Sequence, residues 1–410
     1  MEAHAALVSV VRDERTRLVA TLVRRYGFDV AEESVDAAIE AALEQWPAVG
    51  TPVSPRAWLL AVARRRAIDR LRHLATAGAV HADLRAVASD EVAVDADPDA
   101  AEFPDDRLRL VFTCCHPAIA RDAQVALALR WLSGLSTEDV ARAFCVPVPT
   151  MAQRLTRAKT KIEAARIPYE LPERSELGAR VGAVLEVVYA IFNEGYVATA
   201  GRELQRVDLA DEALRLAELV VLLLPGDANA TAMLALLLLI HARRHARVSA
   251  DGELIPLEDQ DRALWDRSAV ARGQALLRVA LASGAPGPYA IEAAIQALHD
   301  EAESYAATDF RQIAALYAIL RDRTDAPIVR LNEAVARAMV DGPDAALAEV
   351  LALERAGELA GHPALPAAKA DLHRRLGHAD EARAAYDEAI SATKNDVEKR
   401  FLARRRDALG

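Results

Sequence analysis

The sequence predicts an all-α protein: two small helical domains followed by a long helical array. Two observations carry that expectation. Alanine, leucine, arginine and glutamate dominate while aromatics make up only 5%, a composition that favours helices over sheets. Apolar residues also recur at spacings of three and four in segment after segment, the period of a helix with one buried face. At roughly 100 to 200 residues per domain, 410 residues hold two to four domains.

The first unit, residues 1–75, reads as three helices. HAALVSVVRDERTRLVATLVRRYG puts Leu7, Val11, Leu18 and Leu22 broadly on one face. DVAEESVDAAIEAALEQW places Val35, Ile39, Leu43 and Trp46 on another, with its acids in the first turns, where the helix dipole favours them. PAVGTPVSP breaks the chain, and Pro55 suits the first position of the next helix, PRAWLLAVARRRAIDRLRHL. There Trp58, Val62 and Leu71 lie near one stripe and Arg64, Arg65, Arg66, Arg70 and Arg72 cover the rest.

Residues 76–104 read as a flexible linker, because SDEVAVDADPDAAEFPDD is acidic, holds two prolines and sustains no apolar period. A second compact unit, residues 105–168, follows. DDRLRLVFTCCH is its first helix and RDAQVALALRWLSG its second, ending at Gly134. LSTEDVARAF, capped by Ser136 or Thr137, is separated by the short break CVPV from PTMAQRLTRAKTKIEAA. From residue 169 to 410 helix follows helix. Gly377, Ala382, Tyr386 and Ala389, with Ala370 before them, have the spacings of a tetratricopeptide repeat. Ala213, Ala217, Val220 and Pro225 repeat the theme, and LNEAVARAMVDGPDAALAEV is a looser copy. Such copies in series predict an α-solenoid, interrupted by the irregular RVSADGELIPLEDQDRALWDRS.

Charge is segregated. The net charge of −11 conceals six arginines against Asp69 between Arg56 and Arg72, and five basic residues against Glu163 between Arg154 and Arg166. Between Asp83 and Asp106 nine acids face one arginine. GLSTEDVARAFCVPVPTMAQRLTRAKTKI has the pattern of a helix-turn-helix, with Val140, Ala141 and Phe144 packing on Met151 and Leu155. Thr150, Gln153, Arg154, Arg157 and Lys159 are left facing outward. Gln pairs with adenine edges, Arg forks to guanine and Lys suits phosphate, so the face fits duplex DNA; a solvated face is the plainer alternative. AWLLAVARRRAIDRLRH interleaves Trp58 with arginines, which suits single-stranded DNA, against the alternative of a core tryptophan under a solvated arginine face.

FTCCHPA, Phe112 to Ala118, holds two of three cysteines beside His116. Adjacent cysteines do not readily share a zinc and no CxxC completes a site, so packing is expected, with His116 capping the helix end. His241 and His245 stand four apart without a nearby carboxylate in sequence, a weak metal signal. Asn193-Glu194-Gly195-Tyr196 reads as a packed turn between helices. Three cysteines give no disulfide framework, the N-terminus lacks a signal-peptide pattern, and the longest apolar run, Met233 to Ile240, falls short of the roughly 20 residues that span a bilayer. A cytoplasmic protein is expected.

Taken in order, residues 1–166 resemble an extracytoplasmic-function sigma factor of RNA polymerase, group IV of the sigma-70 family. DVAEESVDAAIEAALEQW resembles the region 2 helix that grips the polymerase clamp, SPRAWLLAVARRRAIDRLR the promoter-melting helix, and the helix-turn-helix resembles region 4. The family pattern T-V-x-x-R-x-x-R-A-R appears with Met151 for valine and Lys159 for the last arginine. Where many members have D-x-V-Q-E, Glu33-Ser34-Val35-Asp36-Ala37 stands. One subgroup carries a long tetratricopeptide-like extension, and its members resemble this chain at FTCCHPA, IFNEGY, LEDQDRALWDR and GPYAIEAAIQALH.

The resemblance implies no enzyme activity and no cofactor. It implies core RNA polymerase, through its clamp and flap, and promoter DNA as partners. Glu32, Glu33, Asp36 and Glu40 would contact polymerase. Arg56, Trp58, Arg64, Arg65, Arg66 and Arg70 would hold the −10 element, and Thr150, Gln153, Arg154, Arg157 and Lys159 the −35 element. The acidic linker would run through the basic cleft of polymerase or act as a solvated spacer. The extension would fold against the sigma domains, or bind a regulatory protein or ligand. LEDQDRALWDR would bind a partner or lock its loop to the sigma domains through ion pairs. Two rivals remain: a one-component regulator joining the helix-turn-helix to a sensing solenoid, and a thiol- or metal-dependent enzyme using Cys114, Cys115 and His116.

Overall fold

The computed structural model describes residues 2–76, 103–144, 146–173 and 175–409, with side chains over 14–74 and, within the later segments, from residue 107 onward. The expected acidic linker lies almost wholly outside these residues, as does Cys145. Among the described residues there are eighteen α-helices and one short parallel strand pair, so the fold is all-α. The chain divides into two units, residues 1–187 and 188–410.

In the first unit α1 (Glu2–Tyr26), α2 (Phe28–Val49) and α3 (Pro55–Thr76) form one helical group. Gly27, at φ 78°, makes the sharp turn between α1 and α2. The buried stripe of α2 is Val35, Ala38, Ala42 and Trp46, while Ile39 and Leu43 are only half-buried. The shift from the expected stripe has a packing cause. Opposite it α3 buries Leu59, Ala63, Ala67 and Leu71, and facing alanines let two helices approach closely. Trp58 is half-buried, edge-on to Trp46 with centroids 5.4 Å apart. Pro47 stays inside α2, where it removes only one backbone bond, and the Gly50 N–H closes the helix on Trp46 O at 2.9 Å. The loop is therefore shorter than the run PAVGTPVSP suggests.

The second group comprises α4 (Phe103–Cys114), α5 (Arg121–Leu127) running on into a π turn (Ala128–Leu132), α6 (Thr137–Ala143) and α7 (Val148–Ala164). Ser136 caps α6 by accepting from the Asp139 N–H at 3.1 Å. Val140, Ala141, Met151 and Leu155 are buried together, whereas Phe144 is half-buried beneath the Arg154 guanidinium, 5.2 Å from its ring centroid. The two groups pack as one body. Phe28 stacks on Trp131 at 4.3 Å, Thr16 Oγ1 donates to Leu132 O at 2.6 Å, and the Tyr169 hydroxyl donates to Ala20 O at 2.8 Å.

The second unit begins within α8 (Leu177–Tyr196). Helices α9 (Val207–Leu223), α10 (Ala228–His241), α11 (Arg267–Ala282), α12 (Pro288–Glu301), α13 (Phe310–Thr324) and α14 (Pro327–Ala338) follow. Then come α15 (Pro343–Arg355), α16 (Ala364–Leu376), α17 (Ala379–Ala392) and α18 (Asp396–Asp407). The repeat residues sit where their spacing demands. Ala370, Ala382, Tyr386 and Ala389 are buried between α16, α17 and α18, and Gly377 (φ 77°) turns α16 into α17. Ala213, Ala217 and Val220 are buried on α9. Asn193 to Tyr196 form the last turn of α8, not a separate turn. There Gly195 meets the backbone of α9, and a Cβ on it would lie 2.4 Å from Ala210 N.

The array closes on itself. Strand β1 (Ala200–Gly201) pairs in parallel with β2 (Lys394–Asn395). The fully buried Asn395 amide donates to Ala198 O at 2.9 Å and Glu203 O at 2.8 Å, while its Oδ1 caps α18. The irregular segment 247–266 is tied within the same unit. Glu253 pairs with Arg400 and Arg404, Glu258 with Arg405 at 2.7 Å, and Arg262 donates to His299 O and Ala302 O while stacking on Trp265. His241 Nε2 has found a carboxylate after all, Asp211 on α9 at 2.9 Å.

Candidate functional site

The basic face of α3 and the outer face of α7 carry the residues expected to touch DNA. Burying Leu59, Ala63, Ala67 and Leu71 turns Arg65, Arg66 and Arg70 to solvent and leaves Arg64 half-buried. Arg56 pairs with Glu14 at 3.5 Å and Arg70 with Glu33 at 2.8 Å. Glu33, Ser34 and Ala37 of α2, with Arg66, Asp69, Arg70, Arg72 and His73 of α3, line a groove of about 530 Å³. Trp58 is half-buried against Trp46. On α7, burying Met151, Leu155 and Ala158 exposes Thr150, Gln153 and Arg157. Arg154 is half-buried on Phe144.

Lys159 behaves differently. Its ammonium donates to Asp29 Oδ1 at 2.8 Å and Glu32 Oε2 at 2.9 Å, so it faces α2. The acids expected to contact polymerase divide accordingly. Glu33 and Glu40 are exposed, but Glu32 is buried and Asp36 half-buried. Glu32 receives Arg130 Nε at 2.5 Å, Lys159 at 2.9 Å and Trp131 Nε1 at 3.2 Å. Asp36 receives Arg130 Nη2 and Arg15 Nε, each at 2.9 Å, and Arg15 Nη1 also donates to Arg130 O at 3.1 Å. Burial raises the Glu32 carboxyl, but the charges of Arg130 and Lys159 outweigh it and hold the group below its ordinary value. Burial opposes the charge on Lys159, but Glu32 and Asp29 lift the ammonium above its ordinary value. Burial lowers the Arg15 guanidinium despite the attraction of Asp36.

Sequence reasoning found the acids but missed Arg15, Arg130, Trp131 and Asp29. Their partners are distant in the chain: Arg130 and Trp131, on the π turn, both reach Glu32, and Lys159 reaches Asp29.

The FTCCHPA segment ends α4 and is packed. Cys114 and Cys115 are both buried; burial drives the Cys114 thiol well up and the Cys115 thiol up to about 12, values that suppress a nucleophilic thiolate. The helix end is closed by Arg180, which donates to Phe112 O at 2.5 Å, rather than by His116, whose Nδ1 accepts from the Ala118 N–H. Among the described residues no group of three or more His, Cys, Asp and Glu side chains is placed to hold a metal ion. No described helix is long and apolar enough to cross a membrane.

A family of unknown function (DUF6596) matches residues 180–281. The uncharacterized protein R00370 of Rhizobium meliloti (strain 1021) is 41% identical over 408 residues, covering 98% of this chain and 95% of that protein. The ECF RNA polymerase sigma factor SigK of Mycobacterium ulcerans (strain Agy99) is 30% identical over 145 residues, covering 34% of this chain and 73% of that protein. No solved structure matches.

Proposed function

Because the chain belongs to the family of extracytoplasmic-function RNA polymerase sigma factors, we propose that it binds core RNA polymerase and directs promoter recognition, melting and initiation, with the C-terminal unit modulating that activity. The observation that carries the reading is the pairing of two exposed basic elements on one body: α3 with Arg65, Arg66 and Arg70, and α7 with Thr150, Gln153 and Arg157. A duplex reader and a single-strand reader together are what opening a promoter requires.

In this reading α7 enters the major groove of the −35 element, Gln153 and Arg157 reading base edges and Thr150 a phosphate. The arginines of α3 track the non-template strand of the −10 element, and the α2–α3 loop receives an unstacked base beside Trp58. Unstacking costs a few kcal/mol per base, which binding by α7 and by core polymerase offsets. No covalent step by this chain is involved, so it acts without a catalytic residue or cofactor of its own. The repeat array, whose ends are tied together, supplies a surface for a regulatory protein or ligand.

Run-off transcription with purified core polymerase on the promoter upstream of the chain's own gene tests the proposal. A transcript that needs both core and this chain is expected. Tight binding to that DNA without core, and no transcript with it, would favour a one-component helix-turn-helix regulator instead.

A further inference from the structure

Two of the four α2 acids that the sigma-factor reading assigns to polymerase, Glu32 and Asp36, are already occupied, while Glu33 and Glu40 stay exposed. Glu32 and Asp36 are bound by Arg130 of the π turn, Glu32 also by Trp131 and by Lys159 of α7, and Arg15 of α1 spans the junction by holding Asp36 and the Arg130 carbonyl. The stack of Phe28 on Trp131 seals one side. These residues, more than ninety positions apart, put two expected binding faces against each other: the polymerase face of α2 and the phosphate-binding end of α7.

We infer that this junction is an autoinhibitory lock, in which Arg130 and Lys159 occupy the carboxylates that a cationic helical face of core polymerase must take. The two occupants are mutually exclusive, because Glu32 already receives three donors and its side chain is 9% exposed. Docking on polymerase therefore separates α2 from the helix-turn-helix group. The separation frees Lys159 for a DNA phosphate, so polymerase binding and −35 contact become one event. The polar periphery at Asp29 and Asp36 is open to solvent and screened by salt, which keeps the lock reversible.

The inference rests on the sigma-factor reading, and the test separates the two. The full-length chain is titrated with core polymerase as wild type and as Arg130→Gln. The variant is expected to bind core about tenfold more tightly, the size of an ordinary coupling between sites. Equal or weaker binding by a variant that melts like wild type would overturn the lock. In a second arm, Asp29→Cys with Lys159→Cys, in a Cys145→Ser background, is joined by a reductant-cleavable bismaleimide. The joined chain is expected to lose core binding and regain it on cleavage, whether or not Arg130→Gln folds. Equal binding before and after cleavage would overturn the lock alone. Failure of every form, cleaved and wild type included, to bind core would overturn the sigma-factor reading and the lock with it.

Discussion

The Lys159 ammonium donates to Glu32 Oε2 at 2.9 Å, joining two residues that stand 127 positions apart in the chain. Removing the carboxylate leaves Arg130 and Lys159 facing a neutral amide in a buried site. Glu32→Gln is expected to destabilise the first unit by about 3 kcal/mol, the low end for breaking a buried ion pair, because Asp29 and Asp36 remain. Chemical denaturation followed by circular dichroism would read this; a loss under about 0.5 kcal/mol, as for exposed pairs, would mean the junction is weakly coupled to folding.

The same pair fixes the pH response. The folded value of Glu32 lies below its unfolded value of about 4.3, so its contribution is present above that pH and disappears as the pH falls through the folded value. Lys159 is shifted upward, so its contribution is present below about 10.4 and fades as the pH rises through the folded value. Unit stability should therefore hold across neutral pH and fall in acid, and the acid limb should be shallower in Glu32→Gln. Melting curves taken from neutral to acid pH settle it.

Arg157 is exposed on α7, and none of the junction bonds described above involves it. Arg157→Ala should weaken binding to a −35 duplex by about 1 to 3 kcal/mol and leave the melting temperature within error. Fluorescence anisotropy at fixed salt would measure the first and calorimetry the second.

Cys114 and Cys115 should resist alkylation in the native chain and react once it is unfolded. Their burial and raised thiols leave almost no thiolate at neutral pH. Peptide mass spectrometry after timed iodoacetamide treatment distinguishes this from a reactive pair, which would be modified within minutes.

Gly195→Ala would force a methyl against the backbone of Ala210. Backbone cannot swing aside as a side chain does, so a loss of about 1 to 3 kcal/mol in the second unit is expected, seen as an earlier denaturation midpoint.

Much of this fold was legible because it is local. Period, proline placement and the Ser136 cap locate helices within a few residues, and the repeat spacing marked Ala370, Ala382, Tyr386 and Ala389 as contact positions. The outward face of α7 at Thr150, Gln153 and Arg157 also followed from which residues must be buried beneath it. What the pattern concealed depends on distant partners. Nothing in the local sequence distinguishes Glu32 from Glu33, or Lys159 from Arg157, yet one of each pair is held inside a junction and the other is not. The α2 stripe was misjudged for a related reason: large residues look like core in isolation, but Ala38 and Ala42 are chosen by the alanines of α3 opposite.

An open repeat array behaves as a one-dimensional chain, fraying from either end at the cost of one interface at a time. Pairing β1 with β2 and burying Asn395 between Ala198 and Glu203 removes the free ends. Loss of α18 would then strip contacts from the first helices of the unit as well as the last. Amide exchange should show the segments around 198–205 and 394–407 opening together, in one cooperative step, and Asn395→Ala should merge neither with nor into the fraying expected of a linear array but lower the protection of both segments at once.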